Sequence, residues 1–310
     1  MRDTTLLAVP NVSEGRECAR IRALADAFGG ARSSVRLLDV HSDGDHHRSV
    51  FTLAGRPGAL ADAVMRGAAV AVEGADVMHR ARVGGNESRG QHPHVGALDV
   101  APIVYLDPRD RGPACAEALV LADRIGSELE VPVFLYGELT ADADGRPQRT
   151  RAELRRGGAT ELARRMSEPD APLAPDFGPA RLHPTAGATL VAAREPLVAF
   201  NLQLAPPATL EDARAIAATI REGGDHGLPG VRAIAILLDG GIAQVSTNVE
   251  RPLELPLAGV VAAVRRLAAV ASAELVGLAP RAALEGFPSD LPLPGFDPAR
   301  HLLENALGSC

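Results

Sequence analysis

The sequence contains no lysine and no tryptophan, so all 32 basic residues are arginines. The absence of lysine excludes Schiff-base catalysis through lysine and a phosphate-binding loop that ends in lysine. The three cysteines, Cys18, Cys115 and Cys310, lack the spacing of metal ligands. No apolar run approaches the roughly 20 residues of a membrane span, and the first residues lack the pattern of a signal peptide. These absences predict a cytoplasmic protein that does not enter a membrane.

The 310 residues carry a formal net charge of -7, and 46% of them are hydrophobic. A chain of this length accommodates two domains of roughly 150 residues, each with its own core. Nucleic-acid binding requires a basic surface, which a chain of net negative charge does not favour. We therefore expect a globular protein that acts on small molecules and does not bind nucleic acid.

The first half of the chain predicts the element order β-α-β-β-α-β, which is the split-βαβ or ferredoxin-like pattern. This order follows from the spacing of apolar residues and from the turn residues between the apolar runs. The expected strands cover residues 6–12, 35–40, 48–54 and 101–106. The expected helices cover residues 18–28 and 57–72. A helix at 114–129, a strand at 131–136 and a basic helix at 151–166 are expected to follow.

A proline-rich stretch, residues 167–184, separates this half from a second one with the same order. The second set of expected strands covers residues 197–204, 231–238, 242–248 and 274–278. Its expected helices cover residues 210–221 and 257–270. We predict an α/β (α+β) protein of two ferredoxin-like (βαββαβ) subdomains with facing sheets. The predicted boundaries are 1–170 for the N-terminal subdomain, 171–186 for the linker and 187–310 for the C-terminal subdomain.

The candidate catalytic residue is His92, because histidine titrates near neutral pH without assistance. Pro93 favours an extended backbone at His92, at the junction between a glycine-rich loop and a strand. We interpret the loop, residues 83–90, either as a lid over His92 or as an ordinary connection. No serine or cysteine has the local signature of a nucleophile, which leaves general acid–base catalysis by histidine. A His-Pro pair in a simple turn is the structural alternative.

Two other groups of polar residues have both a functional and a structural interpretation. The first is a set of histidines in the first half, namely His41, His46, His47, His79, His92 and His94. They lack a metal-binding spacing, so we predict no metal and interpret them as an active-site wall or as exposed loops. The second is a set of arginines at 149–165, which are either a solvated helix face or an electrostatic funnel for an anionic ligand.

Motifs along most of the chain resemble the glutamate formimidoyltransferase (formiminotransferase) family, in its transferase region. Those in the first half are VPNVSEGR at 9–16, LLDV at 37–40, HP at 92–93, GALDV at 96–100, PVFLYGE at 132–138, PDFGP at 175–179 and GAT at 187–189. Those in the second half are AFNL at 199–202, AQVSTN at 243–248 and LVGL at 275–278. The motifs occur in the order that the family shows.

The resemblance implies that N5 of tetrahydrofolate attacks the formimidoyl carbon of N-formimidoyl-L-glutamate. The products would be 5-formimidoyltetrahydrofolate and L-glutamate, a step of histidine degradation and one-carbon metabolism. The family's catalytic histidine corresponds to His92, which would take the proton from N5 and return it to the leaving amine. The resemblance also implies tetrahydrofolate as co-substrate, a folate tunnel between the subdomains and a homodimer.

The resemblance further implies a set of residues that bind the substrate or the folate, with the segment at 178–187 as the folate-binding part. This set consists of Asn11, Ser13, Glu14, Asp39, Arg48, His94, Gly178, Pro179, Leu182, His183, Pro184, Gly187 and Asn201.

The catalytic loop departs from the family pattern. The family has His-x-Gly-x-His-Pro-Arg, whereas this chain has Ser88 in place of the first histidine and His94 in place of the arginine, with extra residues before the motif. The family's Asn-Arg-Thr is here His47-Arg48-Ser49. Losing an arginine removes a bidentate partner for a carboxylate. The alternatives are therefore a folate-dependent one-carbon transferase that uses another amine or amino acid, and a non-catalytic folate-binding subunit.

Overall fold

The computed structural model describes residues 4–30, 34–74, 76–83 and 94–308, without the side chains of residues 82 and 83. The chain divides into two compact units, Met1–Arg194 and Glu195–Cys310. Among the helices in these ranges, none combines the length and the apolar character needed to cross a membrane.

The first unit begins with the β-α-β-β-α-β order that the sequence predicts. Its strands are β1 (Leu6–Ala8), β2 (Asn11–Val12), β3 (Arg36–Asp43), β4 (Arg48–Gly55) and β5 (Leu98–Tyr105). Its helices are α1 (Cys18–Gly29), α2 (Leu60–Gly74) and α3 (Val77–Val83). The predicted strand at 6–12 is interrupted between β1 and β2, where Pro10 has no backbone N–H to donate. Helix α3 has no counterpart in the prediction.

The pairing of these strands is that of a ferredoxin-like sheet. Both β1 and β2 pair antiparallel with β4 on one side and with β5 on the other, and β3 pairs with β4 at the edge. The interrupted first strand, β1 and β2, is therefore central, with β4 on one side and β5 on the other. The apolar face of the sheet packs against α1 and α2, with Phe28 and Phe51 fully buried at a ring separation of 4.8 Å.

The first unit continues beyond the β-α-β-β-α-β order. The additional elements are α4 (Arg111–Glu128), β6 (Val133–Leu135), α5 (Arg151–Arg155), α6 (Gly158–Met166) and β7 (Thr189–Arg194). Strand β7 pairs in parallel with β5 and with β6, which extends the sheet to seven strands. The single helix predicted at 151–166 is in fact two helices. Gly157 and Gly158, with φ of 74° and 68°, adopt left-handed backbone conformations between them.

The proline-rich segment at 171–186 belongs to the first unit. Asp176 accepts a hydrogen bond from the backbone N–H of Leu135 at 2.7 Å, and Val133 N donates to the carbonyl of Phe177. The segment is therefore bonded along β6, and it leads into β7 of the same sheet. Consequently the two units divide after Arg194, later in the chain than the predicted boundary at 186/187.

The second unit repeats the β-α-β-β-α-β order. Its strands are β8 (Val198–Leu204), β9 (Val231–Leu237), β10 (Ala243–Val249) and β11 (Val270–Val276). Its helices are α7 (Leu210–Ile220), α8 (Leu257–Arg265), α9 (Pro298–His301) and α10 (Leu303–Gly308). The antiparallel sheet has the order β11-β8-β10-β9, again ferredoxin-like. The α+β class and the two subdomains are confirmed, whereas facing sheets remain a prediction.

A buried carboxylate caps helix α2 from a distant part of the chain. Glu117 on α4 is 5% exposed, and its two oxygens accept hydrogen bonds from the backbone N–H groups of Gly58 at 2.5 Å and Ala61 at 2.7 Å. The first N–H groups of a helix have no partner within it, and a carboxylate there also meets the positive end of the helix dipole. Glu117 therefore fixes α2 against α4.

Replacing Glu117 with glutamine removes one of the two acceptors and the charge while keeping the shape. We expect Glu117→Gln to lower the free energy of unfolding by about 1–3 kcal/mol, since one buried N–H loses its partner. Urea denaturation followed by circular dichroism measures this change. The matched control is Glu128→Gln on the same helix, whose exposed pair with Arg124 contributes at most about 0.5 kcal/mol. Equal effects of the two substitutions would contradict the capping role.

Candidate active site

The end of β2 lies against the start of β5, where it fixes the first predicted motif. The backbone N–H of Ser13 donates to the carbonyl of Ala97 at 2.9 Å, and its hydroxyl donates to the carbonyl of Gly96 at 2.7 Å. The side chain of Asn11 donates to the carbonyl of Val9 at 2.9 Å. These buried bonds give the motif a defined backbone directly beside residues 95–97.

The turn after β2 also packs against the connection between β3 and β4. A Cβ atom on Gly15 would lie 2.1 Å from the carbonyl oxygen of Asp43 and 2.4 Å from the backbone nitrogen of Arg48. The Ser49 hydroxyl donates to the carbonyl of Glu14 at 2.5 Å. Glycine is therefore required at position 15, because any side chain would separate the two segments.

Glu14 is a buried carboxylate that remains ionised. Its Oε1 accepts hydrogen bonds from the backbone N–H groups of Arg16 at 2.9 Å and Glu17 at 3.1 Å, at the start of α1. Burial alone would raise the pKa of Glu14, but these hydrogen bonds and the nearby His47 and Arg80 outweigh burial and lower it. The group thus presents a fixed negative charge next to the end of β2.

His47 is held beside this carboxylate in a backbone conformation that is uncommon for a residue other than glycine, with φ of 47°. Its Nδ1 accepts a hydrogen bond from Gly15 N at 3.1 Å, and Nη1 of Arg80 lies 2.5 Å from its Nε2. Arg80 also donates to the carbonyl of Ser13 at 2.8 Å. Burial and the charge of Arg80 lower the pKa of His47 to about 4, so the ring is neutral at pH 7.

Arginines surround a second buried carboxylate, Asp99, at the start of β5. Asp99 is 1% exposed; it accepts a hydrogen bond from Val95 N at 2.7 Å and forms an ion pair with the buried guanidinium of Arg155. Burial and the charges of Arg155 and Arg151 lower the pKa of Arg48 to about 9, with Asp99 and Asp43 acting in the opposite direction. Arg48 stays protonated at pH 7. Arg48, Arg151 and Arg155 are hereafter called the arginine cluster.

The predicted folate-binding segment ends in a tight hairpin on the same side of the unit. His183 N and Gly187 N donate to each other's carbonyls, at 2.9 and 3.1 Å. The His183 ring accepts a hydrogen bond from Ala186 N at 3.0 Å through Nδ1. Gly187 has φ of 74°, and a Cβ there would lie 2.2 Å from the carbonyl of Val95. The hairpin is therefore fixed against residues 95–97, as Ser13 is.

The structure brings together only part of the predicted site. The residues around the start of β5 are Asn11, Ser13, Glu14, Arg48, His94, His183 and Gly187. Elsewhere in the first unit, Asp39 lies within β3, and Gly178 contacts the backbone of Gly126 on α4. Pro179 and Pro184 lie in the same segment as Leu182, which packs on the cluster around Phe134. Asn201 belongs to the second unit, and the catalytic candidate His92 lies outside the described residues.

Sequence reasoning assigned no role to Arg80 or Asp99. Arg80 was missed because α3, a short helix close behind α2, was not predicted. Asp99 lies in the GALDV motif at 96–100. A carboxylate at the start of an apolar strand would be buried and would need a charged partner, so the sequence did contain an indication of its role. Arg155 turns out to be buried on Asp99 and not part of a solvated face.

The low pKa of His47 predicts a specific loss of stability in mild acid. Between pH 6.5 and about 4 the unfolded chain binds a proton at His47 that the folded protein does not bind. The free energy of unfolding therefore falls as the pH falls through this window, by at most about 3 kcal/mol. His47→Asn removes this term, so we expect the variant to lose less stability than the wild type between pH 7.5 and pH 4.5.

Urea denaturation at both pH values measures the difference, with His79→Asn, an exposed histidine on α3, as control. Glu14 does not obscure the result. Its pKa is lowered in the folded protein, so the stability that it contributes is lost only as the pH falls below 4.5, its ordinary pKa. The same pH dependence in His47→Asn and wild type would show that the histidine is not held neutral.

Comparisons with known proteins cover nearly the whole chain. Residues 5–194 match the family model of the formiminotransferase domain, N-terminal subdomain. A glutamate formimidoyltransferase of Streptococcus pyogenes serotype M1 is 35% identical over 307 residues, which cover 96% of this chain and 97% of that protein. One from Thermoplasma acidophilum is 34% identical over 283 residues, 89% of this chain and 88% of that protein. The formimidoyltransferase-cyclodeaminase of Sus scrofa is 37% identical over 248 residues, 77% of this chain but 42% of that protein.

Proposed function

The chain belongs to the formiminotransferase family, and on this basis we propose that it transfers the formimidoyl group of N-formimidoyl-L-glutamate to N5 of tetrahydrofolate. The products are 5-formimidoyltetrahydrofolate and L-glutamate. The family that the motifs predicted is thereby confirmed. The reaction is supported by two relatives named glutamate formimidoyltransferase, each of which aligns with this chain over most of the length of both proteins.

The arginine cluster is the structural observation that carries this proposal. N-formimidoyl-L-glutamate is a dicarboxylate, and guanidinium groups are the preferred partners of carboxylates because they donate two parallel hydrogen bonds. Arg48 is half-buried and feels the charges of Arg151 and Arg155, with Asp99 and Asp43 close enough to act in the opposite direction. Three guanidinium groups in a partly desolvated environment would attract a carboxylate of the substrate strongly. We assign this cluster to binding the formimidoyl donor.

We assign proton transfer to His92. As N5 of the folate bonds to the formimidoyl carbon, N5 loses its proton to the imidazole. The tetrahedral intermediate then collapses, the bond from that carbon to the glutamate nitrogen breaks, and His92 returns the proton to the leaving amine. The assignment rests on the sequence motif, since His92 lies outside the described residues. Its neighbour in the chain, His94, is close enough to His47 for its charge to lower the pKa of that ring.

We assign the remaining first-unit residues to holding the folate and framing the site. The hairpin of His183 and Gly187, with Ser13, fixes the backbone at 95–97, next in the chain to the His92 segment. Glu14 supplies an ionised carboxylate, which accepts hydrogen bonds from N–H groups such as those of a pterin ring. The other predicted residues, Asp39 among them, stay predictions.

We further propose that the enzyme acts as a cytoplasmic homodimer and without a metal. The described cysteines, Cys18 and Cys115, are free thiols, which fits a reducing compartment. Strands β3 and β9 lie at the edges of their sheets, and an edge strand is a common place for pairing with a second chain, which supports a dimer. The residues whose positions are described include no group of three or more His, Cys, Asp or Glu side chains suited to a metal ion. The proposal that the reaction needs no metal rests on the histidine spacing in the sequence, which lacks a metal-binding pattern.

Substituting His92 tests the catalytic assignment. We expect His92→Ala to lower kcat by about 100- to 10,000-fold, the range for losing a general acid–base group. Binding of 5-formyltetrahydrofolate, followed by calorimetry, should stay within about twofold of wild type because the histidine acts on the proton and not on affinity. His226→Ala, an exposed histidine of the second unit, is the control. Full activity of His92→Ala would exclude the mechanism.

Substituting Arg48 tests the binding of the donor. We expect Arg48→Met to raise KM for N-formimidoyl-L-glutamate by about tenfold or more, because a charge-assisted hydrogen bond to a carboxylate contributes about 1.5–3 kcal/mol. KM for tetrahydrofolate should change far less. Arg48→Lys, which keeps the charge but loses the fork, should give an intermediate value.

The control for these variants is Arg164→Met, which removes an exposed arginine paired with Glu161 and Glu168. Thermal unfolding checks that each variant is folded before its kinetics are compared. Unchanged KM for the donor in a folded Arg48→Met protein would exclude Arg48 from the donor site.

A further inference from the structure

The two sheets of the described residues have four edge strands, and three of these edges are protected from pairing with another chain. Strand β6 is bonded to the segment that contains Phe177, and Ala273 N on β11 donates to the carbonyl of Pro292 at 2.9 Å. Strand β3 carries an arginine and two aspartates, and charged side chains commonly protect an edge. The fourth edge is β9, which pairs with β10 and with no other described strand. Its residues 233–238 carry no charge, so β9 is the edge best suited to pairing with another chain.

The backbone groups of β9 alternate in direction along the strand. At the turn of the β9–β10 hairpin, Leu238 N donates to the carbonyl of Ile242 at 2.9 Å, so these two residues form a hydrogen-bonded pair. Hydrogen-bonded pairs recur at every second position, so the even-numbered residues of β9 bond to β10. The N–H and C=O groups of Ala233 and Ala235 therefore point to the other side of β9. No described strand lies on that side, and these four groups are suited to bonding a second chain.

The same edge exposes large apolar side chains. Ile234 and Leu237 on β9 are 41% and 39% exposed, and Ile242 in the turn that follows is 42% exposed. An uncharged strand of high β-propensity at a sheet edge leads to uncontrolled association unless it has a defined partner. The edge of β9 therefore indicates an interface.

We propose that β9 pairs antiparallel with β9 of a second copy of this chain across a two-fold axis, with Ile234 facing Ile234. In this register Ala233 of each copy pairs with Ala235 of the other, which forms four backbone hydrogen bonds. The facing Ile234 residues have Cα atoms about 4.5 Å apart, so their side chains cover each other. The two four-stranded sheets become one sheet of eight strands. This inference rests on the homodimer of the proposed function and is independent of the reaction.

The same two-fold axis brings complementary charges together on helix α7, which packs on β9 and β10. The end of α7 is level with the start of β9, because Glu222 N donates to the carbonyl of Val231 at 2.8 Å. The 11 residues of α7 span about 16 Å, the length of about five strand residues, so the helix is centred near the axis.

The α7 helices of the two copies therefore run antiparallel, about 10 Å apart, which is the spacing of packed helices. Glu211 at the exposed start of one helix then lies beside Arg221 at the exposed end of the other, and this occurs twice. Arg232 of one copy faces Ile236 of the other, so no like charges are directly opposite on the paired strands. This complementarity favours a second copy of the chain over an unrelated strand.

Substituting Ile234 with charges of either sign tests the interface and its register. We expect Ile234→Arg and Ile234→Glu each to raise the dimer dissociation constant, measured by sedimentation velocity, by about 100-fold or more, because like charges meet at the axis. An equimolar mixture of the two variants should again form dimers, since arginine then faces glutamate. Ala235→Pro, which removes an N–H that points away from β10, serves as a further variant and should also weaken the dimer. Thermal unfolding checks that each variant is folded.

The matched control is Leu253→Arg, which places the same charge on an apolar residue of the second unit that is 64% exposed and lies outside β9. Its dissociation constant should equal that of the wild type. A wild-type dimer that folded Ile234 variants leave unchanged would overturn the interface while the dimer stands, and a monomeric wild type would overturn both. Formimidoyl transfer is assayed separately on the wild type, so a dimer without turnover would overturn the proposed reaction and leave the interface standing.

Discussion

The carboxylate of Asp99 organises the first unit around the site. It is almost completely buried, and it holds the backbone of Val95 on one side and the guanidinium of Arg155 on the other. The first contact fixes the chain where it enters β5, and the second ties α5 to the same point. Removing one partner of a buried ion pair leaves an uncompensated charge and costs about 3–5 kcal/mol. The local arrangement of these segments depends on this one group.

Val95, Gly96 and Ala97, which follow His94, bind distant parts of the chain. Ser13 bonds to the carbonyls of Gly96 and Ala97, Ala97 N donates to Ala186, and Ala188 N donates to Val95. The motif at the end of β2 and the hairpin before β7 therefore converge at the chain that follows His92. Elements far apart in sequence are held together by backbone hydrogen bonds and by the buried hydroxyl of Ser13. Such a frame keeps the groups around a reacting centre in fixed positions.

The two charged groups of the first unit have different electrostatic character. Next to Asp99, burial and the charges of Arg155 and Arg151 lower the pKa of Arg48, which nevertheless keeps its proton at neutral pH. The carboxylate of Glu14 is ionised because backbone N–H groups, His47 and Arg80 outweigh its burial, and His47 is neutral because burial and Arg80 lower its pKa. In our account the arginine cluster attracts the dicarboxylate donor, and Glu14 presents a hydrogen-bond acceptor to the folate. The charges thus divide recognition of the two substrates within one unit.

Sequence periodicity predicted both β-α-β-β-α-β repeats, because alternating and helical apolar spacing is a local property of the chain. It did not predict β7 or the true boundary after Arg194, since the parallel pairing of β7 with β5 and β6 joins segments far apart in sequence. The break of the helix at Gly157-Gly158 did have a local signal in the two glycines. Within the site, the motifs identified Ser13 and Gly187, whereas the roles of Arg80 and Asp99 required the fold.

The most direct test of the account is a transfer experiment with N-formimidoyl-L-glutamate labelled with ¹³C and ¹⁵N in the formimidoyl group. Mass spectrometry of the folate product and quantification of free glutamate measure the fate of the group. The account predicts that both labels appear together on tetrahydrofolate and that one glutamate is released per labelled folate. Folate that remains unlabelled, or glutamate released without labelled folate, would contradict formimidoyl transfer by this protein.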